Sequence, residues 1–492
     1  MLFTTATFSF LYLPIVLIGF FAFGRRAPAL AAAWLFAASV FFYGYWMPEF
    51  TLLLLGSIGV NFWIGERIAA RHGPVRRTWL VTGIVLNLAT LAYFKYANFF
   101  IDNLEALLGT NFGVGRIILP IGISFYTFTQ IAYLVDTWQG KVREARPVHY
   151  GLFVTFFPHL IAGPVLHHAQ MMPQFANRAV YRFNAAHCSA GLAIFCIGLF
   201  KKVVLADGIA PYADAVFVPV DAGAHPDMAE AWIGALAYTF QLYFDFSGYS
   251  DMAIGLSWMF NIRLPFNFDS PYKALSISDF WRRWHISLST FLRDYLYVPL
   301  GGNRKGRIRR YVNLGATMVL GGLWHGASWS FVLWGAMHGA YLMVNHAFRA
   351  LTAKLGWRAA LDANVVFRLS AWVFTFVSVV AAWVLFRAET LQGAWRMLQS
   401  MAGSVPRGTD HGLLWWNAGQ QPSVAIGWCA VLGAVAVFSR NSNTLGERLL
   451  ATMQARPAWR PPLAGAALAC AVALVIVNTT RSSSSAFIYF NF

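Results

Sequence analysis

The chain consists largely of long apolar stretches separated by short polar segments. Apolar runs of about 17 to 25 residues match the length that an α-helix needs to cross a hydrocarbon core of about 30 Å. The pattern therefore predicts an all-α polytopic membrane protein with about eleven or twelve transmembrane helices. The first run, residues 7–23, has no basic segment before it and no small-residue cleavage site after it, which favours a retained helix over a signal peptide.

A short apolar run at residues 153–165 departs from this pattern. It is broken by Pro158, Gly163 and Pro164, which interrupt helical hydrogen bonding. Non-helical backbone at membrane depth is tolerated only where it packs against protein or lines a water-filled cavity. The sequence therefore predicts a re-entrant or half-buried segment here instead of a full crossing.

The longest interruption, residues 264–310, is basic, amphipathic and aromatic. Ser276 followed by Asp279 has the form of a capping box, which marks the start of a helix. Apolar and aromatic positions then recur at helical spacing, so we expect one amphipathic helix lying in the cytoplasmic interface. The positions on this face are Trp281, Trp284, His285, Leu288, Leu292 and Tyr295.

One histidine, His325, lies inside a run without charged residues at 311–348, within the glycine-rich motif GGLWHGASW at 321–329. An ionisable ring at bilayer depth costs free energy unless it faces a cavity or a partner, so its first interpretation is a functional site. A helix from Arg310 to Trp324 climbs about 21 Å, which is less than a full crossing. The imidazole is therefore expected inside the hydrocarbon thickness.

Two carboxylates, Asp245 and Asp251, interrupt another apolar run. Buried carboxylates need partners. One interpretation is structural, with hydroxyl groups or an arginine such as Arg282, Arg283 or Arg293 as the partner. The other interpretation is functional, with the carboxylates orienting the histidines or lining a tunnel.

Composition and charge fit a membrane protein, because 58% of residues are hydrophobic, 12% are charged and the net charge is +17. Loops after the first, third and fifth predicted spans are basic, which places them in the cytoplasm. An acidic loop around Asp102 and Glu105 falls between two of them. The alternation predicts that both termini lie on the periplasmic side. A later segment without lysine or arginine is expected to form an outside loop, and its acidic residues are Asp207, Asp214, Asp221 and Asp227.

The whole chain, residues 1–492, is interpreted as a single integral-membrane domain. Its sections are the N-terminal spans at 1–136, the broken segment and middle spans at 137–260, the histidine-bearing core at 261–348, and the C-terminal spans and periplasmic tail at 349–492.

A glycine-rich loop containing Asn303 and the cations Arg304 and Lys305 precedes the histidine motif, with further arginines behind it. Such a cluster is able to hold an anionic donor or the anionic lipid surface, and the sequence leaves both open.

A metal site is not expected. Of twelve histidines, His325, His338 and His346 share one region, but their spacing places them on different parts of a helix and no carboxylate lies nearby. His338 and His346 are interpreted as packing residues.

Several motifs together resemble the membrane-bound O-acyltransferase (MBOAT) family, in particular its bacterial polysaccharide branch. Any one of them alone is weak, but together they extend over nearly the whole chain. They are LPIGISFYTF at 119–128, FPHLIAGP at 157–164, the 245–251 run, DFWRRWHIS at 279–287, YVPLGGN at 297–303 and GLWHG at 322–326.

This resemblance implies an MBOAT-like funnel of helices that works as an O-acetyltransferase in the bacterial inner membrane. A thioester donor, expected to be acetyl-coenzyme A as substrate without any bound cofactor, would approach from the cytoplasm. The acetyl group would pass to a periplasmic SGNH or esterase-like partner for O-acetylation of an exopolysaccharide such as alginate. The aromatic tail at 486–492 resembles the ending of that branch, although Asn491 stands where glutamine is common.

His325 matches the family's essential histidine, and His285 matches the second histidine of the preceding motif. The resemblance makes His325 the expected base for the acceptor hydroxyl, while His285 would bind or polarise the donor carbonyl. Supporting or tunnel-lining roles are expected for Trp324, Asp245, Asp251, Arg282 and Asn303.

Two other classes of function stay open at this point. A secondary transporter or flippase would move an acyl carrier or a lipid-linked sugar without covalent chemistry, although the chain shows no internal repeat of the kind common in transporters. A structural scaffold for an export complex would make His325 replaceable.

Overall fold

The computed structural model describes residues 1–142, 146–404, 413–480 and 487–491. Within these ranges the chain is helical and contains no β-strand, which confirms the predicted all-α class. The helices of the first part are α1 (Leu13–Gly24), α2 (Pro28–Gly44), α3 (Pro48–Ala70), α4 (Gly73–Leu91), α5 (Ala97–Leu108), α6 (Ile123–Trp138), α7 (Pro147–Thr155), α8 (His168–Ala176), α9 (Ala185–Phe200), α10 (Asp207–Asp221) and α11 (Met228–Met259).

The second part of the chain begins with short helices and continues with longer ones. They are α12 (Ile277–Arg283), α13 (Ile286–Leu292), α14 (Arg307–His325), α15 (Trp329–Lys354), α16 (Arg358–Ala363), α17 (Val365–Arg387), α18 (Leu391–Met401), α19 (Leu414–Asn417), α20 (Pro422–Phe438), α21 (Ser442–Ala455) and α22 (Arg460–Thr480). Short π-helical segments occur at Thr7–Tyr12, Ala92–Tyr96, Lys201–Ala206 and Arg293–Tyr297.

The chain folds into two compact units. Unit 1 contains Met1–Phe200, Gly248–Phe266 and Ser442–Asn491. Unit 2 contains Lys201–Ser247 and Asn267–Asn441. Both predicted histidine positions belong to unit 2.

Within the described ranges, six helices are long and apolar enough to cross a membrane, or seven if the bent pair α20 and α21 counts as one span. This number is lower than the predicted eleven or twelve. Long helices such as α11 and α15 are absent from the count, because carboxylates in α11 and histidines and asparagine in α15 reduce their hydropathy. The polytopic membrane class is nevertheless confirmed by the spans that do qualify.

The predicted break at residues 153–165 is present in unit 1. Helix α7 ends at Thr155, and residues 156–166 are buried without helical structure. Internal hydrogen bonds hold this segment: Gly163 N donates to His159 O at 3.0 Å, and a ring nitrogen of His159 lies 3.0 Å from Phe153 O. The non-helical backbone is thus enclosed by protein, as the physics of burial requires.

The predicted acidic loop is wrong over most of its length. The helix that begins at α9 continues through a π-helical segment to the end of α10, so Asp207, Asp214 and Asp221 are helical and only Asp227 lies in a loop. The helix accommodates these carboxylates because each finds a partner within unit 2. The partners are Lys202 for Asp207, Arg387 for Asp214, and the backbone N–H groups of Glu389 and Thr390 for Asp221.

The single amphipathic helix predicted after Ser276 is also wrong, because the chain breaks it at His285. The capping interaction itself is present, since Ser276 Oγ accepts a hydrogen bond from Asp279 N at 3.2 Å. Helix α12 then ends, His285 adopts a left-handed backbone conformation with φ of 44°, and α13 begins at the next residue. His285 therefore lies between two short helices and not within one continuous amphipathic helix.

Helices α14 and α15 form an antiparallel pair whose backbones touch through glycine. A Cβ atom on Gly322 would overlap the carbonyl oxygen of Phe331, and one on Gly335 would overlap that of Met318. Small residues of this kind let membrane helices approach closely and gain van der Waals contact. The close approach fixes the end of α14, where His325 lies, against the start of α15.

We expect Gly335→Ala to destabilise the protein by about 1–3 kcal/mol, because the added methyl group must force the two backbones apart. The midpoint of thermal unfolding of the purified protein in detergent measures this loss. Gly315→Ala on α14 is the matched control, since its Cβ would meet only Met343 Cε at 3.8 Å. Equal midpoints for the two variants would show that the close approach is not under constraint.

Candidate functional site

His325 is the last residue of α14 and lies in an aromatic enclosure within unit 2. Its side chain is buried, with 3% of the residue surface exposed. Its ring centroid lies 5.0 Å from that of Trp324, 5.1 Å from Trp334 on α15 and 5.1 Å from Phe386 on α17. Three helices therefore fix the imidazole at the point where α14 ends and the backbone at Gly326 becomes extended.

His285 lies at the break between α12 and α13, where its left-handed backbone turns the ring into the interior of unit 2. Its Nδ1 is 3.2 Å from Asn267 Oδ1. The same oxygen accepts hydrogen bonds from the backbone N–H of Ser287 at 3.2 Å and from its hydroxyl at 2.9 Å. Because the backbone N–H identifies this amide atom as the acceptor oxygen, Nδ1 of His285 must donate the proton.

This hydrogen bond determines the tautomer of His285. A neutral imidazole has one N–H and one lone pair, so a proton on Nδ1 leaves the lone pair on Nε2. Asn267 thus orients the ring and also makes Nε2 a hydrogen-bond acceptor. No sequence signal marked Asn267, which lies 18 residues before His285 in a segment without regular periodicity.

The two histidines share one site. Their ring centroids are 6.4 Å apart, and the Trp324 ring lies 6.2 Å from that of His285. Phe246 on α11 packs edge-on against His285 at 4.8 Å. The structure therefore brings together His325, His285 and Trp324, three of the residues selected from the sequence.

His338 extends the same aromatic enclosure along α15. Its ring centroid lies 4.8 Å from that of Trp334, and its Nδ1 accepts a hydrogen bond from Trp281 Nε1 at 3.2 Å. The residue has no exposed surface. Trp334 and His338, with the partly exposed Trp281 against them, thus form a continuous aromatic wall that leads away from His325 along the helix.

Asp245 is buried in unit 2 and forms an ion pair with Lys202, with 2.7 Å between Oδ1 and Nζ. The same Nζ lies 2.8 Å from Asp207 Oδ1. The expectation of an arginine partner for Asp245 is therefore wrong. The sequence signal for this ion pair is a lysine, residue 202, within an apolar run.

The proposed arginine partners are used elsewhere in unit 2. Arg283 pairs with Asp279 at 3.0 Å, and Arg293 pairs with Asp294 at 2.7 Å. Arg282 is exposed on α12. It therefore lies at the surface of unit 2, outside the aromatic enclosure.

The remaining predicted site residues lie apart from the histidine pair. Asp251 belongs to unit 1, where it is buried and accepts a hydrogen bond from the Ser442 hydroxyl at 3.0 Å. A hydroxyl partner is what the structural interpretation of this carboxylate expected. Asn303 is exposed in the turn before α14. Among the described residues, no group of three histidine, cysteine, aspartate or glutamate side chains is arranged to hold a metal ion.

We expect Lys202→Met to destabilise the protein by about 3–5 kcal/mol, because it leaves the buried carboxylate of Asp245 without its cation. Thermal unfolding in detergent measures the change, and Lys202→Met combined with Asp245→Asn should recover part of it. Arg304→Met removes an exposed cation and is the control, with little expected effect. A Lys202→Met protein as stable as the control would refute the structural importance of the ion pair.

The part of the chain that contains the two histidines also matches a known protein family. The profile of the MBOAT, membrane-bound O-acyltransferase family, matches residues 143–384, which include both histidines. The chain is 43% identical over 431 residues to the peptidoglycan O-acetyltransferase of Helicobacter pylori, covering 82% of this chain and 80% of that protein. It is 46% identical over 409 residues to a Pseudomonas aeruginosa protein named "Probable alginate O-acetylase AlgI", covering 82% of this chain and 75% of that protein.

A more distant similarity joins the chain to proteins with a different acyl group in their name. The teichoic acid D-alanyltransferase of Bacillus subtilis is 27% identical over 277 residues, covering 55% of this chain and 69% of that protein. The names of these relatives thus all describe acyl transfer, although they differ in the acyl group and in the acceptor.

Proposed function

The chain belongs to the membrane-bound O-acyltransferase family, and from this premise we propose how it works as a membrane O-acetyltransferase. The acetyl group comes from a cytoplasmic thioester, acetyl-coenzyme A, and is transferred at the site formed by His325 and His285. It leaves on the periplasmic side of the inner membrane for O-acetylation of an exopolysaccharide, of which alginate is one example. Peptidoglycan is another acceptor class that a relative's name suggests.

The observation that carries this proposal is the burial of two imidazoles in one aromatic enclosure, 6.4 Å apart, with one of them oriented by Asn267. The aromatic enclosure positions one imidazole, that of His325, as a candidate base, and it holds the second imidazole beside it as a group that can bind substrate. Aromatic walls exclude water, and a thioester donor must be protected from hydrolysis.

The chemistry is an acyl transfer in which His325 acts as the base. The imidazole takes the proton of the acceptor hydroxyl, the oxygen forms a bond to the thioester carbonyl carbon, and the carbon–sulfur bond breaks. The proton then passes to the departing thiolate, so that neither a metal nor a redox partner is needed for the balance. A positioned base contributes about 10² to 10⁴ in rate.

His285 has a more limited role in its neutral form than the resemblance implied. With Nδ1 donating to Asn267, Nε2 presents a lone pair and accepts a hydrogen bond from a substrate N–H or O–H. Polarising the donor carbonyl would require the ring to carry a second proton. We therefore assign substrate binding to His285.

The donor side is assigned to the basic end of α14. This helix of 19 residues begins at exposed Arg307 and ends at His325, so it spans about 28 Å from the cationic surface to the site. Arg304 and Lys305 lie in the turn before it, and the cluster suits the phosphates of a coenzyme donor. Cytoplasmic placement of this end agrees with the excess of basic residues in alternate loops.

The orientation of the chain is proposed from the alternation of charged loops, and its protein partner is proposed from the family. We place both termini in the periplasm and expect an SGNH or esterase-like partner there to complete transfer onto the polymer. Of the aromatic tail, residues 487–491 are described, while residues 486 and 492 lie outside the described residues. The tail is a candidate contact for that partner, in unit 1.

Transport without covalent chemistry is the competing function, and the family favours acyl transfer over it. A transporter or flippase would need no imidazole base such as the one proposed at His325. The bond from His285 to Asn267 supports chemistry at the site, since it controls which nitrogen carries a proton.

We expect His325→Ala to lower the rate of acetyl transfer from labelled acetyl-coenzyme A by at least about 100-fold, because the proton acceptor is lost. The measurement uses membranes with equal amounts of wild-type and variant protein. His346→Ala is the control, since His346 lies on α15 but is only partly buried and outside the aromatic enclosure. Acetyl transfer by His325→Ala at the wild-type rate would exclude the proposed base.

A reporter fused after Phe492 tests the orientation. We expect a periplasmic signal, because the alternation of basic loops predicts that the carboxyl terminus lies outside. A second reporter inserted after Lys305, in the basic turn, should give a cytoplasmic signal in the same cells. A cytoplasmic signal at the carboxyl terminus would contradict both the orientation and the proposed contact of the tail with a periplasmic partner.

A further inference from the structure

An open groove on unit 2 lies apart from the histidine pair and has a volume of about 490 Å³. This volume is within the range of about 300–1,000 Å³ typical of small-molecule sites. One face of α18 and a residue from the loop before α11 form its walls. The lining residues are His225, Leu391, Gln392, Trp395, Arg396 and Gln399.

Helix α18 is amphipathic, but its apolar face does not point to lipid. Ala394, Met397 and Met401 are buried inside the protein. The opposite face carries the groove, and Trp395, one of its lining residues, is 62% exposed. An interfacial helix that anchors itself in a membrane would bury its apolar face in lipid. An exposed tryptophan between polar residues on the other face is therefore better explained by a ligand.

The groove is held in place by hydrogen bonds at the start and middle of α18. Asp221, at the end of α10, accepts hydrogen bonds from the backbone N–H and the hydroxyl of Thr390 at 3.1 and 3.0 Å. Arg396 donates to Val220 O at 2.9 Å through one of its five N–H groups. The lining side chains are thus carried by a helix whose position is fixed.

The helix that carries the groove follows closely after a residue of the His325 enclosure, and it packs on helices of that enclosure. Phe386, whose ring lies 5.1 Å from that of His325, is the penultimate residue of α17 and lies five positions before Leu391, the first groove residue of α18. Helix α18 packs against α15 and α17, the helices that enclose His325. A ligand in the groove is therefore held near the end of the site that is remote from the basic turn before α14.

We propose that this groove binds the acceptor polysaccharide, with preference for sugars that carry carboxylates. Trp395 offers a flat apolar surface to the C–H face of a sugar ring, Gln392 and Gln399 hydrogen-bond hydroxyl groups, and Arg396 pairs with a carboxylate. His225 adds a further polar contact. The proposal rests on the proposed function, which places a polysaccharide on this side, and it keeps the polymer beside the point where the acetyl group leaves.

Binding of a short uronic-acid oligosaccharide to the purified full-length protein in detergent tests the groove. Wild-type protein should bind it more tightly than a neutral glucose oligosaccharide of equal length. Trp395→Ala should weaken binding about tenfold or more, because tryptophan is enriched among the contacts that carry most of a binding energy. Trp357→Ala is the matched control: Trp357 is 59% exposed in unit 2 but lies outside the groove, so its binding should equal that of wild type.

Cleavage of acetyl-coenzyme A is measured on the same variants to separate this proposal from the proposed function. Trp395→Ala should retain the cleavage rate when a small alcohol replaces the saccharide as the acceptor, while His325→Ala loses it. Wild-type protein that binds no oligosaccharide, or Trp395→Ala protein that binds as wild type, would overturn the groove proposal. The groove proposal would also be overturned if Trp395 were needed for binding to vesicles of anionic lipid but not for binding to the oligosaccharide. Cleavage that persists in His325→Ala would instead refute the proposed function.

Discussion

The close approach of α14 and α15 is the constraint on which the site depends. Gly322 and Gly335 let the two backbones touch, and a side chain at either position would overlap a carbonyl oxygen of the other helix. This contact places the end of α14, with His325, against Trp334. A glycine-based interface therefore does more than stabilise the pair, because it sets the distance between the imidazole and the aromatic wall.

Polar groups in the interior of unit 2 are paired by fixed partners. Lys202 lies between two aspartates, and Asn267 receives three hydrogen bonds on one oxygen. Leaving such groups unpaired in a medium of low dielectric constant costs several kcal/mol, so each pair constrains the helices that carry it. Asp245 precedes Phe246, and Phe246 packs on His285, so the ion pair lies one residue away from the wall of the site.

The sequence predicted those features that depend on local pattern. Hydropathy predicted the all-α membrane class, and the helix expected from Arg310 to Trp324 ends one residue before the observed end of α14. The break at His285 could not be predicted, because the Ser276 cap marks only the start of a helix and the aromatic residues keep their helical spacing past residue 285. The segment of α10 was predicted as a loop because it carries several aspartates, and a partner such as Arg387 is distant from them in sequence. Asn267 was missed because a hydrogen bond between segments has no periodicity.

The left-handed backbone at His285 has a consequence for how any replacement at that position is interpreted. Residues other than glycine, asparagine and aspartate pay a conformational cost of about 1–2 kcal/mol in this region. An alanine there would combine loss of the ring with relaxation of the chain between α12 and α13. Asparagine tolerates the same torsion angles, so it isolates the chemical contribution of the imidazole from the geometry of the bend that presents it.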